Sequence, residues 1–252
     1  MTVIYPAPIF GPIHSRRLGI SLGINLMPAD GKVCSFDCIY CECGFNNDFR
    51  PKQKRPSREE VAKALEAKLK EMTEQGQIPD VLTFAGNGEP TGHPQFQEII
   101  DDTIALRDKY CKDAKVSVLS NATYINKPAV RSALMKVDNN ILKLDTVDSA
   151  YIQAVDRPVG RYNIEEIIEG MKAFDGHCIV QTMFMHSPFG GMSNEYVEPW
   201  LKALAYIKPE QVMIYTIDRE TPDKSLGKAT PEELDAIKAK VEAIGINCQA
   251  SY

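Results

Sequence analysis

Short apolar runs rich in Val, Ile and Phe recur along the chain, at Val81 to Ala85, Val116 to Leu119, Ile141 to Leu144, Cys178 to Phe184 and Val212 to Ile217. Continuous apolar runs of this length read as strands buried on both faces, the habit of parallel sheets. An earlier strand is expected over Leu18 to Leu26. The intervening segments carry helical periodicity and caps. Ser57 with Glu60 forms a capping-box pattern, followed by Val61, Leu65, Leu69 and Met72 on one face and Gly76 as a stop. Asn163 with Glu166 precedes Ile167, Ile168, Met171 and Phe174. Thr230, Pro231 and Glu233 open a last helix that carries Leu234, Ile237, Val241 and Ile244 and stops at Gly245. Further helices are expected near Pro94, after Pro128 and after Asn194.

Strand, long loop and helix, then strand and helix repeated, predict a parallel sheet with right-handed crossovers. About six strand–helix units fit, so the fold class is α/β, a partial (β/α)6 barrel of parallel strands. No linker-like tract or repeat divides the 252 residues, and a barrel of this size is commonly one domain. A single domain over 1–252 is the expectation.

Composition narrows the function classes. With 44% hydrophobic and 25% charged residues the chain is an ordinary globular protein, and a net charge of -5 does not point to general binding of nucleic acid or membranes. RNA remains an allowed partner only through local basic stretches: His14-Ser-Arg16-Arg17, and Arg50 to Arg58. The opening Met1 to Pro12 lacks a basic start and a long apolar stretch, so no secretory signal is expected. No apolar run approaches bilayer length. A cytoplasmic location, away from the membrane, follows as an expectation. Seven cysteines, an odd number, argue for reduced thiols or a metal site and against a disulfide scaffold.

Cys34, Cys38, Cys41 and Cys43 crowd one loop, 27–57, after the first expected strand. The first three form a Cys-x3-Cys-x2-Cys run. Thiolates are soft ligands for zinc, copper(I) or iron–sulfur clusters. Three cysteines on a four-iron cubane leave one iron open, as a catalytic zinc keeps an open position. A zinc-binding module without enzymatic activity is the alternative, but the tight Cys41-Glu-Cys43 spacing is unlike paired zinc knuckles. Cys43 is read as a bystander in preference to a fourth ligand of the resting cluster or a residue supporting the ligands from behind.

The Cys-x3-Cys-x2-Cys run, with Tyr40 before its last cysteine, resembles the signature of the radical SAM superfamily. The resemblance implies a partial barrel and an enzyme with two cofactors, a [4Fe-4S] cluster on Cys34, Cys38 and Cys41 and S-adenosyl-L-methionine (SAM). In that family an electron from the cluster cleaves SAM to methionine and a 5′-deoxyadenosyl radical, which abstracts hydrogen from the substrate. A one-electron reductant such as flavodoxin or ferredoxin is then a required partner. The turn 86–90, Gly86-Asn87-Gly88-Glu89-Pro90, resembles the family's Gly-Gly-Glu-Pro motif, which hydrogen-bonds the methionine amino group. Asn87 stands where many relatives have a second glycine.

Polar residues at or near later strand ends match the places where the family binds the ribose and methionine carboxylate: Ser120 and Asn121, Lys143 and Asp145, Gln181 inside the fifth strand, and Thr216. The alternative for each is a cap or a turn contact. Lys143 in an apolar strand needs an anionic partner or a shallow location, and a cofactor carboxylate would serve as the partner. Arg157 and Arg219 are candidate grips for an anionic group. The stretch from Ser15 to Pro90 looks most like a branch of iron–sulfur oxidoreductases related to the wyosine tRNA-modifying enzymes. The cysteine trio for a second cluster is missing before Cys34, so wybutosine chemistry is not implied. The expected substrate is a small molecule or nucleotide, with a macromolecule, either tRNA or a glycyl-radical partner protein, as the alternative.

Overall fold

The apolar runs become strands, and most of the caps read above start helices. In the computed structural model, which describes residues 2–15 and 19–252, β1 (Ile9–Ser15) and β2 (Gly19–Ile24) come first. The long cysteine loop then leads to α1 (Arg58–Glu74). Next come β3 (Val81–Phe84), α2 (Phe96–Tyr110), β4 (Lys115–Ser120), α3 (Pro128–Leu134), β5 (Asn139–Lys143), the short α4 (Ser149–Tyr151) and α5 (Ile164–Lys172). The chain closes with β6 (Ile179–Met183), β7 (Met185–His186), α6 (Asn194–Ile207), β8 (Gln211–Tyr215), β9 (Gly227–Lys228), α7 (Pro231–Ala243) and β10 (Cys248–Ser251). Arg16, Arg17 and Leu18 lie outside the described residues. The expected strand over Leu18 to Leu26 is β2, which ends at Ile24.

Strands β2, β3, β4, β5, β6, β8 and β10 lie in that order and pair in parallel. Strand β1 runs antiparallel on the β2 edge. Among the described residues β1 and β10 are not paired, so the sheet stays open as a partial barrel. The strand–helix repeat is the expected one; β1 and β10 are additions at its two ends.

Alternate residues of each strand serve opposite faces. Leu22, Leu82, Val118, Leu142, Val180 and Val212 are buried outward, in one core with Leu65, Ile100, Met171, Leu204 and Ile237 of the helices. At roughly 25 cal/mol per Å² of apolar surface removed from water, this layer is the main stabilising term. Their neighbours Ser21, Thr83, Leu119, Ile141, Gln181 and Met213 face inward and line a cavity. Helices α1 and α7 begin with complete capping boxes, Ser57 with Glu60 and Thr230 with Glu233, and the Asn163 side chain caps α5. Such caps are worth about 1 kcal/mol each.

Candidate functional site

Parallel strands deliver all their C-terminal ends to one rim. The cysteine loop rises from β2 and is laddered on both sides. On one side Val33 N–H donates to the Asn87 carbonyl at 2.9 Å and Glu89 N–H donates to the Val33 carbonyl at 3.2 Å, a parallel bridge between Val33 and Gly88. On the other side lies the segment after α4. A π-type turn over Ile152–Asp156 closes when Arg157 N–H donates to the Ile152 carbonyl, five residues back. Asp37 N–H donates to the Asp156 carbonyl at 3.0 Å, Ile39 N–H to that of Val155 at 2.9 Å, and Val159 N–H to that of Ser35 at 2.7 Å. Asn46 braces the loop from within, donating to the carbonyls of Cys34 and Phe36.

The glycine turn is shaped for this contact. Gly88 has φ +141°, and a Cβ there would stand 1.8 Å from the Val33 oxygen, so only a residue without a side chain fits. The Glu89 carboxylate is buried and fully engaged. It accepts from Thr91 N–H at 3.0 Å, Ser120 Oγ at 2.8 Å and Asn121 N–H at 2.7 Å. Burial pushes its pKa up, against the hydrogen bonds that lower it. Glu89 thus ties the turn after β3 to the end of β4. Asn87 is also structural: its amide donates to the Tyr5 and Pro28 carbonyls and accepts from Tyr5 N–H. Asn121 Nδ2 donates to Ser35 Oγ at 2.9 Å and to the Cys34 sulfur at 3.6 Å.

Lys143 finds its anionic partners within the chain. Its Nζ donates to Asp145, to Asp156 Oδ1 at 2.6 Å and to the Tyr40 hydroxyl at 2.6 Å, while Tyr40 donates to Asp145. The cofactor carboxylate expected from the sequence is therefore not needed to neutralise it. Burial lowers the Lys143 pKa, yet Asp145 and Asp156 outweigh it and hold the group well above the ordinary lysine value. One buried cation shared by two carboxylates leaves an excess negative charge, which is costly. Asp156 is accordingly pushed up to about 7, by burial first, with Lys143 opposing and Asp145 adding.

Cys34, Cys38, Cys41 and Cys43 are all free thiols. Burial pushes Cys34 up to about 12 and Cys38 well above the usual thiol range. Cys41 goes the other way, to about 6, chiefly through the neighbouring Cys43 thiol, with burial opposing. Cys43 is buried and donates to the Gly86 carbonyl, so it packs against the glycine turn. Buried thiolates need a cation to offset their charge, and metal binding supplies one while releasing protons. Among the described residues, no three His, Cys, Asp or Glu side chains gather as around a single metal ion. A cubane asks for something different, since each cysteine binds a separate iron. Free thiols at Cys34, Cys38 and Cys41 on one loop are soft donors of the kind that hold an iron–sulfur cluster.

Beside Cys41 opens a cavity of about 440 Å³, reaching down between the strands. Tyr40, Gly86, Gln181 and Thr216 line it. Gln181 Nε2 is buried with no hydrogen-bond partner. An orphaned buried donor costs about 1–3 kcal/mol, which fits a site built for a ligand acceptor. Thr216 Oγ1 accepts from Ala229 N–H. Arg219 at the mouth is held by Glu42 and, at 2.6 Å, by the Tyr5 hydroxyl. Arg157 is exposed and sits over the Phe45 ring.

The structure thus brings the three cysteines, Tyr40, Gly86, Gly88, Glu89, Ser120, Asn121, Lys143, Asp145, Gln181 and Thr216 to one rim. Asp156 and Lys32 join them unannounced. Asp156 lies in an irregular turn with no motif, and Lys32 reads as one more loop charge. Its position before Cys34 was the available signal. His93, His177 and His186 bond to Pro56, Val137 and Glu233 and take no part.

Comparison with known proteins agrees with this architecture. A model of the radical SAM superfamily matches residues 30–204. The chain belongs to the radical SAM superfamily and is an enzyme of that class. It is 31% identical over 235 residues to a UPF0026 protein of Helicobacter pylori, covering 91% of this chain and 72% of that one. Among solved structures, a radical SAM methyltransferase from Sphaerobacter thermophilus superposes with a TM-score of 0.69 at 15% identity, over 92% of this chain and 66% of that one. Streptococcus suis SuiB bound to S-adenosylmethionine gives 0.66 at 16% identity over 91% of this chain. The chain spans about half the length of SuiB, 50%. At these identities the likeness is one of fold. No helix among the described residues is long and apolar enough to cross a membrane.

Proposed function

We propose that this enzyme binds a [4Fe-4S] cluster through Cys34, Cys38 and Cys41 and cleaves SAM reductively to a 5′-deoxyadenosyl radical that acts on a small molecule or nucleotide. When bound, the cluster supplies the electron that breaks the sulfonium carbon–sulfur bond. The observation that carries the reading is the bridge from Val33 to Gly88, which sets the glycine turn one residue from Cys34. Two motifs distant in sequence become one wall.

The chain's own residues then divide the work. Gly86 and Gly88 bring backbone close to a ligand, while Glu89 and Asn87 hold that backbone rigid. Ser120 and Asn121 fix the neighbouring wall, and Asn121 donates to the Cys34 sulfur. Tyr40, pinned by Lys143 and Asp145, closes the inner face beside Cys41. Gln181 Nε2 and Thr216 Oγ1 offer polar contacts in a cavity whose floor is Leu119, Ile141 and Met213. That floor carries no charge, which suits an uncharged group shielded from water. We assign the electron to a carrier such as flavodoxin or ferredoxin, and the reaction to the cytoplasm, where free thiols persist. Residues 1–252 act as one domain in this reading, since one core runs from β2 to the helix before β10.

Anaerobic loading of the protein and of the Cys34→Ala, Cys38→Ala, Cys41→Ala and Cys43→Ala variants tests the ligand assignment. The first three variants are expected to lose iron and sulfide and Cys43→Ala to keep them. Retention by Cys38→Ala, or uptake of zinc without sulfide by the parent protein, would overturn it.

A further inference from the structure

Lys32 is a lysine whose side chain is 1% exposed, two residues before Cys34. Its ammonium donates to the Gly44 carbonyl at 2.6 Å, and Gly44 N–H in turn donates to the Cys41 carbonyl at 2.9 Å. The nearest carboxylate, Asp37 Oδ1, stands 3.5 Å away and also accepts from Asn46 N–H at 2.7 Å. The other ionisable groups close enough to act on Lys32 are Cys41, Cys34 and Cys38. A tether for the loop needs no charge, and burying an ammonium is costly unless something negative repays it. Asp37 repays part. The rest is left for the anionic cluster that Cys34, Cys38 and Cys41 would hold.

We infer that Lys32 is a positioning residue whose buried positive charge raises the reduction potential of the cluster held by Cys34, Cys38 and Cys41. The inference rests on the cluster assignment proposed above. The redox step is a single electron passing from a reduced one-electron carrier, which is oxidised, to the cluster, which is reduced; no bond forms or breaks. The electron makes an already anionic centre more negative. A fixed cation in a medium of low dielectric favours that state, and net charge and hydrogen bonds to sulfur are the levers that set such potentials. Asp37 works in the opposite sense, so the pair sets the poise.

The test is a potentiometric titration, followed by electron paramagnetic resonance, of the anaerobically loaded protein, Lys32→Met, Lys32→Arg and Asp37→Asn. Lys32→Met is expected to load iron and sulfide like the parent and to disfavour reduction about tenfold, a 59 mV fall for a one-electron couple. Lys32→Arg stays within about twofold of the parent, and Asp37→Asn shifts the equilibrium the other way. A fully loaded Lys32→Met protein with an unchanged potential overturns the inference while leaving the cluster assignment intact. If Lys32→Met does not load, an unshifted Asp37→Asn protein overturns it instead. A parent protein that takes up no iron and sulfide removes the cluster assignment itself.

Discussion

Val33 and Gly88 meet backbone to backbone, so closely that a Cβ on Gly88 would lie 1.8 Å from the Val33 oxygen. Gly88→Ala therefore has to part the cysteine loop from the turn after β3. The expected loss is about 2–3 kcal/mol, from strain at positive φ and the broken bridge. Urea unfolding of the cluster-free protein measures it. A variant within 0.5 kcal/mol of the parent, on the order of a neutral surface change, would show that the bridge does not hold the loop.

Much of this architecture was legible in the chain. The runs from Val81, Val116, Ile141, Cys178 and Val212 became β3 to β6 and β8, because continuous apolar residues suit a sheet covered on both sides. The capping patterns at Ser57, Asn163 and Thr230 located helix starts through local hydrogen bonds alone. Strand β10 was hidden because Cys248-Gln-Ala-Ser251 carries no apolar run, and β1 because Pro12 interrupts it. At the site, cysteine spacing and Gly88-Glu89-Pro90 were readable as local motifs. The partners of Lys143 were not: Asp156 depends on a turn thirteen residues on, which periodicity does not reach.

Asp156 makes stability depend on pH. Its folded pKa, about 7, lies above the ordinary value of 3.8. Between these values the folded state holds a proton that the unfolded state has lost, so this contribution is present at low pH and disappears as pH rises to about 7. The slope approaches 1.4 kcal/mol per pH unit. Asp156→Asn removes it. In urea titrations of the cluster-free protein from pH 4 to 8, the stability of the variant relative to the parent should climb up to pH 7 and then level off. A difference that stays flat over that window contradicts the assignment.

Gln181, in the cavity wall, has a buried Nε2 without a hydrogen-bond partner. Gln181→Leu should stabilise the ligand-free protein by about 1 kcal/mol and weaken SAM binding about tenfold. Calorimetric titration of the loaded protein, set beside its unfolding midpoint, reads both. Unchanged SAM affinity would place the ligand elsewhere.

Asn121 donates to Ser35 and to the Cys34 sulfur. Asn121→Ala is expected to cost about 1 kcal/mol and to speed loss of iron to a chelator. Chelation at the parent's rate would show that Asn121 only trims a turn.

The most direct measurement is anaerobic loading of the protein with iron and sulfide, reduction in the presence of SAM, and chromatography for 5′-deoxyadenosine. The account predicts four irons and four sulfides per chain and 5′-deoxyadenosine that appears only with reductant, and not in Cys34→Ala. A loaded, reducible cluster that leaves SAM intact, or a protein that holds only zinc, would contradict it.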